Sequence, residues 1–254
     1  MARIMRKLTK SEVKVGENTV YYQIAGEGEP IILVHGLSAS SLWWSRNVPA
    51  LAEHYRVYLI DLPGFGRMRR YASRFTLDSM SEDIVTWMEV VGIKQAHFIG
   101  HSMGGYICMR IAAHNPEVVK RLILIAPAAI PVYSSVLAYT GPLFAAIRGL
   151  TPAFFPILLY DALRAGPLML LRAARDLISR NISTSLQEIT APTLLIWGES
   201  DTLVPSTLGD VLRKEILCAR LLILKKAGHV VMFEQPQQCN AAMLAFLEGA
   251  EIGK

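Results

Sequence analysis

The sequence is poor in cysteine and in charged residues. Its 254 residues include three cysteines, and charged side chains make up 19% of the chain. Cys108, Cys218 and Cys239 form no CxxC pair, so neither a disulfide framework nor a zinc site is predicted, and a reducing compartment is favoured. Hydrophobic residues reach 52%, which excludes intrinsic disorder because such a chain has ample apolar surface to bury.

The sequence also lacks an apolar leader and a nucleic-acid-binding pattern. Its first seven residues are basic, but a polar stretch at 9–14 follows them; no signal peptide is predicted, and we expect a cytoplasmic protein. The net charge of +5 is spread along the chain, apart from a cluster of Arg67, Arg69, Arg70 and Arg74. No basic stripe alternates with aromatic residues, so we expect no nucleic-acid partner. The arginine cluster is interpreted as a solvated loop, with a weak attraction to anionic substrates or lipid headgroups as the alternative.

Short apolar runs that are typical of buried strands recur along the chain. They occur at 31–34, 57–60, 97–100, 122–125, 193–197 and 221–224. Helix-like stretches at 77–91, 103–114 and 238–247 lie between or after them. Two further strand-like segments, 13–15 and 19–24, flank Gly16-Glu17-Asn18 and predict a hairpin. Strands that alternate with helices predict an α/β fold, with a mostly parallel central sheet covered by helices on both faces.

One long segment, 128–185, contains no convincing strand. Prolines and glycines divide it into short helix-like pieces, and because it lies between two predicted strands, we expect a helical cap inserted into a core formed by 1–127 and 186–254. The uncharged stretch 122–147 is long enough for a membrane span. Its first four residues are needed as a strand, however, and Gly141-Pro142 would break the helix. We therefore expect no integral membrane span.

The expected cap is rich in large apolar side chains and in arginine. The apolar residues are Leu137, Leu143, Phe144, Ile147, Phe154, Phe155, Ile157, Leu158, Leu159 and 168–171, and the arginines are Arg148, Arg164, Arg172, Arg175 and Arg180. We expect the apolar side chains on the inner face of the cap, either lining a substrate pocket or packing the cap onto the core. We expect the arginines on the solvent-exposed face of the cap. We also expect a weak contact between the cap and a lipid interface.

The segment Gly100-His101-Ser102-Met103-Gly104 matches the pattern GxSxG. It follows a predicted strand and opens a predicted helix, which is the structural context that this nucleophile motif requires. The partial positive charge of the helix N-terminus would stabilise an oxyanion formed beside the serine. Ser102 is therefore the predicted nucleophile.

A serine hydroxyl becomes an effective nucleophile when a base, itself oriented by a third group, takes its proton. His229 follows the last predicted strand in a loop and is the candidate base. Two acidic residues, Glu199 and Asp201, lie in the loop after the preceding strand. From position alone either of them could orient the histidine.

Five segments in this order resemble the α/β-hydrolase superfamily over nearly the whole chain. They are 33–37 (LVHGL), 61–66 (DLPGFG), 100–105 (GHSMGG), 192–198 (PTLLIWG) and 227–229 (AGH). The resemblance implies a catalytic triad of Ser102, Asp201 and His229, because the family has an aspartate three residues after the glycine of the fourth segment. It also implies an oxyanion hole formed by the N–H groups of Leu37 and Met103.

The resemblance also implies a substrate class. We expect a carboxylesterase or acylglycerol lipase that acts on a small hydrophobic ester of short to medium acyl chain, with no metal or organic cofactor. A carbon–carbon bond hydrolase acting on vinylogous diketones, a thioesterase or perhydrolase, and a non-enzymatic binding protein are the alternatives. A serine at position 102 disfavours the epoxide hydrolases and haloalkane dehalogenases of the family, which have aspartate there. The oligomeric state is not predicted.

Overall fold

The computed structural model describes residues 8–16 and 18–250, without the side chains of residues 18 and 72–74. Three features of the sequence therefore lie outside the described residues. They are the basic first seven residues, on which the expected absence of a signal peptide depends, Glu17 of the predicted turn, and the side chain of Arg74.

Eight strands form one sheet in the order β1-β2-β4-β3-β5-β6-β7-β8. The strands are β1 (Thr9–Val15), β2 (Asn18–Ala25), β3 (Pro30–Val34), β4 (Arg56–Ile60), β5 (Ala96–His101), β6 (Val119–Ile125), β7 (Thr193–Gly198) and β8 (Ala219–Leu224). β2 is antiparallel to β1 and to β4, and all other neighbouring pairs are parallel. Each apolar run of the sequence lies within one of these strands, and the predicted fold class is confirmed.

The helices follow the strands in the alternating manner of an α/β fold. They are α1 (Val48–Leu51), α2 (Leu77–Val90), α3 (Met103–His114), α4 (Thr140–Gly149), α5 (Phe155–Ala165), α6 (Pro167–Ile178), α7 (Thr207–Glu215), α8 (Val231–Glu234) and α9 (Pro236–Leu247). Local signals fix several boundaries. Thr76 caps α2 by accepting a hydrogen bond from the N–H of Ser79, and α3 ends before Pro116, which disfavours a helical conformation in the residue that precedes it.

Two apolar layers bury the sheet on opposite faces. Successive side chains of a strand point to opposite faces, so Ile32 of β3 packs in one layer with Trp87 of α2, whereas Ile31 packs in the other with Met243 of α9. Because β3 and β5–β8 run in parallel, their carboxyl ends meet at one edge of the sheet. The loops that leave this edge carry the residues of the candidate site.

The helical segment 128–185 connects β6 to β7 and contains α4, α5 and α6, with no strand in this fully described range. No helix among residues 8–16 and 18–250 is long and apolar enough to cross a membrane. The cysteines Cys108 and Cys239 are buried and Cys218 is exposed, all three as free thiols.

Two expectations for the helical segment 128–185 are wrong in part. Several apolar side chains predicted on its inner face are exposed instead: Leu137, Phe144, Phe155, Leu159, Leu168 and Leu171. These helices are apolar on more than one side, and a helix can turn only one face towards the core. Arg180, predicted on the solvent-exposed face, is half-buried and forms ion pairs with Asp78 and Asp176.

Candidate active site

Ser102 lies at the sharp turn between β5 and α3. Its backbone has φ 52° and ψ −116°, a conformation that is costly for a residue with a side chain and persists only when the surrounding structure imposes it. The Ser102 N–H donates to the carbonyl oxygen of Ile125 at 3.0 Å, and its own carbonyl accepts from the N–H groups of Tyr106 and Ala128. Backbone hydrogen bonds on both sides of the turn thus impose the strained conformation of Ser102.

The glycines that flank the turn allow α3 to approach the sheet. A Cβ atom at Gly104 would lie 2.2 Å from the carbonyl oxygen of Val34, and one at Gly100 would lie 2.5 Å from the carbonyl oxygen of Gly104. Both distances are far below van der Waals contact. The glycines of the GxSxG pattern are therefore required by the close packing of β5, α3 and β3.

The structure brings His229 and Asp201 into direct contact. His229 Nδ1 lies 2.8 Å from Asp201 Oδ2, and Asp201 Oδ1 accepts from the N–H groups of Leu203 and Val204 at 2.9 and 3.0 Å. An ionised carboxylate only accepts hydrogen bonds, so Nδ1 carries the proton and Nε2 of the neutral imidazole is left with a lone pair. This is the tautomer that a general base requires.

The second acidic candidate, Glu199, lies apart from this pair. Its side chain is exposed, and its backbone N–H bonds to the carbonyl oxygen of Leu224. The turn after β7 closes with a hydrogen bond from the Asp201 N–H to the Gly198 carbonyl, which directs the Asp201 carboxylate inwards. Of the two acids that the sequence leaves open, the geometry places Asp201 beside His229.

His101 supports the loop that carries His229. Its Nε2 donates to the carbonyl oxygen of His229 at 2.9 Å, and the two rings lie 4.9 Å apart. Burial holds the pKa of His101 well below its usual range, and the proximity of His229 lowers it further. His101 therefore stays neutral and serves as a hydrogen-bond donor, a role that the sequence did not reveal because its partner lies 128 positions away.

Glu234 contacts the same loop from α8. Its carboxylate accepts a hydrogen bond from the N–H of Gly228, the residue before His229. Burial raises the pKa of Glu234, although the bond from Gly228 opposes this shift. No motif in the sequence points to Glu234, since it lies in a single helical turn outside the family-like segments.

The loop after β3, which carries Leu37, is fixed by two buried polar side chains. His35 Nε2 accepts from the N–H of Leu62 at 3.0 Å, so Nδ1 carries the proton and donates to the carbonyl oxygen of Gly36 at 2.8 Å. Burial lowers the pKa of His35 and keeps it in this neutral form. Asp61 accepts from the N–H groups of Ser41 and Arg67 at 2.8 and 2.9 Å, and so joins the loop after β3 to the loop after β4.

A third buried group, Asp161 of α5, joins the helical segment 128–185 to this loop. Asp161 Oδ2 accepts from Ser40 Oγ at 2.8 Å and from Trp43 Nε1 at 3.1 Å, while Asp161 Oδ1 has no hydrogen-bond partner. Burial raises the pKa of Asp161 to about 6, against the opposing effect of the Ser40 hydrogen bond. Asp161 belongs to no local motif of the sequence, because its partners lie 121 and 118 residues away.

These residues surround a cavity of about 620 Å³. The sheet edge contributes Leu37, Trp43, His101, Ser102, His229 and Glu234, and the rest of the wall comes mainly from apolar side chains of the helical segment 128–185. The volume falls within the range that is usual for small-molecule sites. Within residues 8–16 and 18–250, no group of three or more His, Cys, Asp or Glu side chains could hold a metal ion.

Residue Met103 begins α3 immediately after Ser102. The first N–H groups of a helix have no acceptor within the helix, so this N–H is available beside the serine. Leu37 lines the cavity together with Ser102 and His229. All five residues that the resemblance selected are thus gathered at one edge of the sheet.

Comparison with known proteins agrees with this architecture. The chain matches a family model described as alpha/beta hydrolase fold over residues 29–175. It is 31% identical to the dihydrolipoyllysine-residue acetyltransferase component of the acetoin cleaving system of Pseudomonas putida, over 89% of this chain and 66% of that protein. It is 30% identical to the 2-hydroxy-6-oxo-6-phenylhexa-2,4-dienoate hydrolase of Comamonas testosteroni, over 93% of this chain and 94% of the relative.

Among solved structures, that of a membrane phospholipase A superimposes with a TM-score of 0.85 at 27% identity, covering 95% of this chain and 86% of that one. The matched region 29–175 contains Ser102 with its strand and helix, and the superposition covers nearly the whole chain. The chain therefore belongs to the α/β hydrolase fold family, and it is a hydrolase of that superfamily.

Proposed function

We propose that the protein is a serine hydrolase that cleaves carboxylic esters of short to medium acyl chain, with Ser102 as nucleophile, His229 as base and Asp201 as the group that orients the base. One observation carries the proposal: Ser102 and an imidazole with a free Nε2 line the same cavity, and a buried carboxylate holds Nδ1 of that imidazole at 2.8 Å. A histidine held in this tautomer beside a strained serine is the arrangement that acyl transfer requires.

In the first step, Ser102 Oγ attacks the ester carbonyl carbon and its proton passes to His229 Nε2. The carbonyl oxygen becomes an oxyanion, for which the N–H groups of Met103 and Leu37 are the proposed donors. Preorganised donors at this position stabilise charge that exists only in the transition state and intermediate. Asp201 stabilises the imidazolium cation without itself taking the proton.

The intermediate collapses as the bond to the alcohol oxygen breaks, and His229 returns its proton to the departing alcohol. The acyl group then remains on Ser102 Oγ. A water molecule gives its proton to His229 Nε2 and attacks the acyl carbon, and the acid leaves as Ser102 regains its proton. The cycle needs no group beyond the chain's own residues and water.

The cavity wall supports an apolar substrate. We propose that residues 128–185 act as a helical cap over a core of 1–127 and 186–254, since Leu143, Ile147 and Leu158 of this segment face the cavity. Each methylene of a substrate that leaves water for such a wall contributes about 0.8 kcal/mol of binding free energy. An acyl or alcohol group of a few carbons fits the volume of about 620 Å³. A cytoplasmic location stays a prediction from the sequence.

A carbon–carbon bond hydrolase is the second candidate, because the relative from Comamonas testosteroni is named for hydrolysis of a dienoate. A dienoate substrate carries a carboxylate, which requires a cationic partner inside a buried site. Among the described residues that line the cavity, Lys226 is the one Lys or Arg, and its side chain is exposed. The neutral ester is therefore the substrate class that this cavity favours.

The proposal is tested by assaying purified protein against p-nitrophenyl esters from acetate to palmitate and against a vinylogous diketone carboxylate. We expect the highest kcat/KM for short to medium acyl chains and loss of at least about 10³-fold in kcat for Ser102→Ala. A fluorophosphonate probe should add its mass to Ser102 and to no other residue.

Ser200→Ala provides the matched control, since Ser200 lines the same cavity and has no part in the mechanism. This variant should turn over esters at the wild-type rate. Ester turnover that is equal in wild type and Ser102→Ala would refute the nucleophile. Faster cleavage of the diketone than of any ester would replace the ester proposal with the second candidate.

A further inference from the structure

The helical segment 128–185 carries apolar side chains on the side away from the cavity. On α5, Phe155, Leu159 and Leu163 lie four residues apart and so share one face of the helix, and all three are exposed. Leu168 at the start of α6 is 83% exposed and Leu163 is 74% exposed. None of these four side chains lines the cavity. They form an outer apolar surface that the active site does not explain.

Phe144 of α4 and Leu137 before it are also exposed, with exposed fractions of 63% and 80%, and neither lines the cavity. Two further residues of α4, Leu143 and Ile147, are exposed and also line the cavity. The rim of the cavity is therefore apolar and is continuous with exposed apolar side chains. A monomeric protein in water rarely leaves so many large apolar groups exposed on consecutive elements unless they bind a partner.

The charge of the same segment has one sign. Residues 128–185, which are described throughout, contain five arginines and two aspartates. Both aspartates are engaged within the protein, Asp161 in its buried hydrogen bonds and Asp176 in an ion pair with Arg180. The exposed charged side chains of residues 128–185 are those of Arg148 on α4 and of Arg172 and Arg175 on α6. The exposed surface is thus apolar and cationic.

The arginine and the apolar groups also lie side by side. The Arg148 guanidinium lies 5.6 Å from the centre of the exposed Phe144 ring, one helical turn away on α4. Helices that combine apolar side chains with arginine or lysine are those that settle at the boundary between lipid headgroups and acyl chains. Anionic headgroups pair with the cations while the apolar side chains leave water.

We propose that the outer surface of the helical segment 128–185 docks the protein on an anionic lipid bilayer. A second copy of the chain is a poorer fit, because a two-fold interface would bring this surface against itself and place arginine opposite arginine. The cavity rim formed by Leu143 and Ile147 then lies near the membrane. This docking is independent of the proposed chemistry, since the residues of the outer surface do not line the cavity.

Cosedimentation with vesicles tests the docking. We expect wild-type protein and Ser102→Ala to bind vesicles of phosphatidylglycerol and phosphatidylcholine (1:1) more strongly than vesicles of phosphatidylcholine alone, with binding weakened by salt. The double variant Leu163→Ser/Leu168→Ser should partition at least about tenfold less, since each buried methylene is worth about fourfold. Arg148→Gln/Arg175→Gln should lose about 25-fold on the anionic vesicles, at about fivefold for each arginine.

Leu217→Ser is the matched control. Leu217 is 81% exposed and precedes β8, at the opposite end of the sheet from the cavity, so its loss should leave vesicle binding unchanged. Leu163→Ser/Leu168→Ser should keep wild-type turnover of p-nitrophenyl acetate, which shows that it is folded. The proposal is overturned by equal binding to both vesicle types, by equal loss in Leu217→Ser, or by light-scattering masses of a dimer that the double variant dissociates.

Discussion

The buried carboxylate of Asp161 makes the stability of this protein depend on pH in a direction opposite to that of most carboxylates. Burial raises the pKa of Asp161 from 3.8 to about 6, with the negative charge of Asp61 adding to the rise. The hydrogen bonds from Ser40 and Trp43 and the positive charge of Arg164 act against it. In the folded protein this carboxyl group therefore binds a proton more tightly than in the unfolded chain.

The magnitude follows from the linkage between proton binding and unfolding. Between pH 4 and 6 the folded protein holds the Asp161 proton and the unfolded chain does not, so the free energy of unfolding falls by about 1.4 kcal/mol per pH unit through this group. Over the whole shift the loss is roughly 3 kcal/mol. The stabilising contribution of Asp161 is thus fully present below pH 4 and is lost as the pH rises through 6.

Asp161→Asn removes this dependence. The asparagine oxygen can still accept from Ser40 and Trp43, but the side chain does not ionise. We expect the free energy of unfolding of the variant, relative to wild type, to rise by roughly 3 kcal/mol between pH 4 and pH 7. The absolute difference at any one pH also includes the packing of the amide, so the change with pH is the quantity that tests the argument.

Urea unfolding followed by circular dichroism at half-unit intervals from pH 4 to 7.5 measures this change. Asp210→Asn is the control, because the Asp210 carboxylate is 56% exposed on α7 and stays in water whether the chain is folded or not. Its difference from wild type should vary by less than about 0.5 kcal/mol across the same range. If the wild-type and Asp161→Asn curves run parallel, burial does not hold the Asp161 proton and the reasoning is refuted.

Three further outcomes follow from the site. Asp201→Asn should lower kcat for p-nitrophenyl butyrate by about 10⁴-fold, because the amide stabilises the wrong tautomer of the histidine, whereas Glu199→Gln should stay within about twofold of wild type; comparable losses would contradict the assignment. Gly104→Ala should destabilise the fold by at least ~3 kcal/mol in thermal melts, since its Cβ would lie 2.2 Å from the Val34 carbonyl oxygen. Glu234→Ala should lower kcat with little change in KM, because the Gly228 N–H loses its acceptor and the loop that carries His229 becomes less ordered. Glu234→Gln keeps an acceptor for this N–H and should retain most activity. Equal losses in the two variants would argue against a positioning role for Glu234.

The strands, the main helices of the core and the serine turn can be predicted from the sequence alone. Each of these elements has a local sequence pattern. The patterns are an apolar run such as 31–34, a helical repeat such as 77–91, and the glycines of 100–104. Local sterics and the burial of one strand or one helix face are sufficient to produce them. The predicted sheet and its order of motifs agree with the structure for this reason.

Contacts between residues far apart in the chain could not be predicted from the sequence and depend on the folded structure. Glu199 and Asp201 are two residues apart, and the closure of one turn against Gly198 selects the acid that faces His229. The bond between Asp161 and Ser40 spans 121 positions and leaves no trace in local periodicity. The sequence pattern predicted Phe155 and Leu159 of α5 on the inner face of the cap, whereas both are exposed, because a helix that is apolar on several sides takes its orientation from the surface on which it packs.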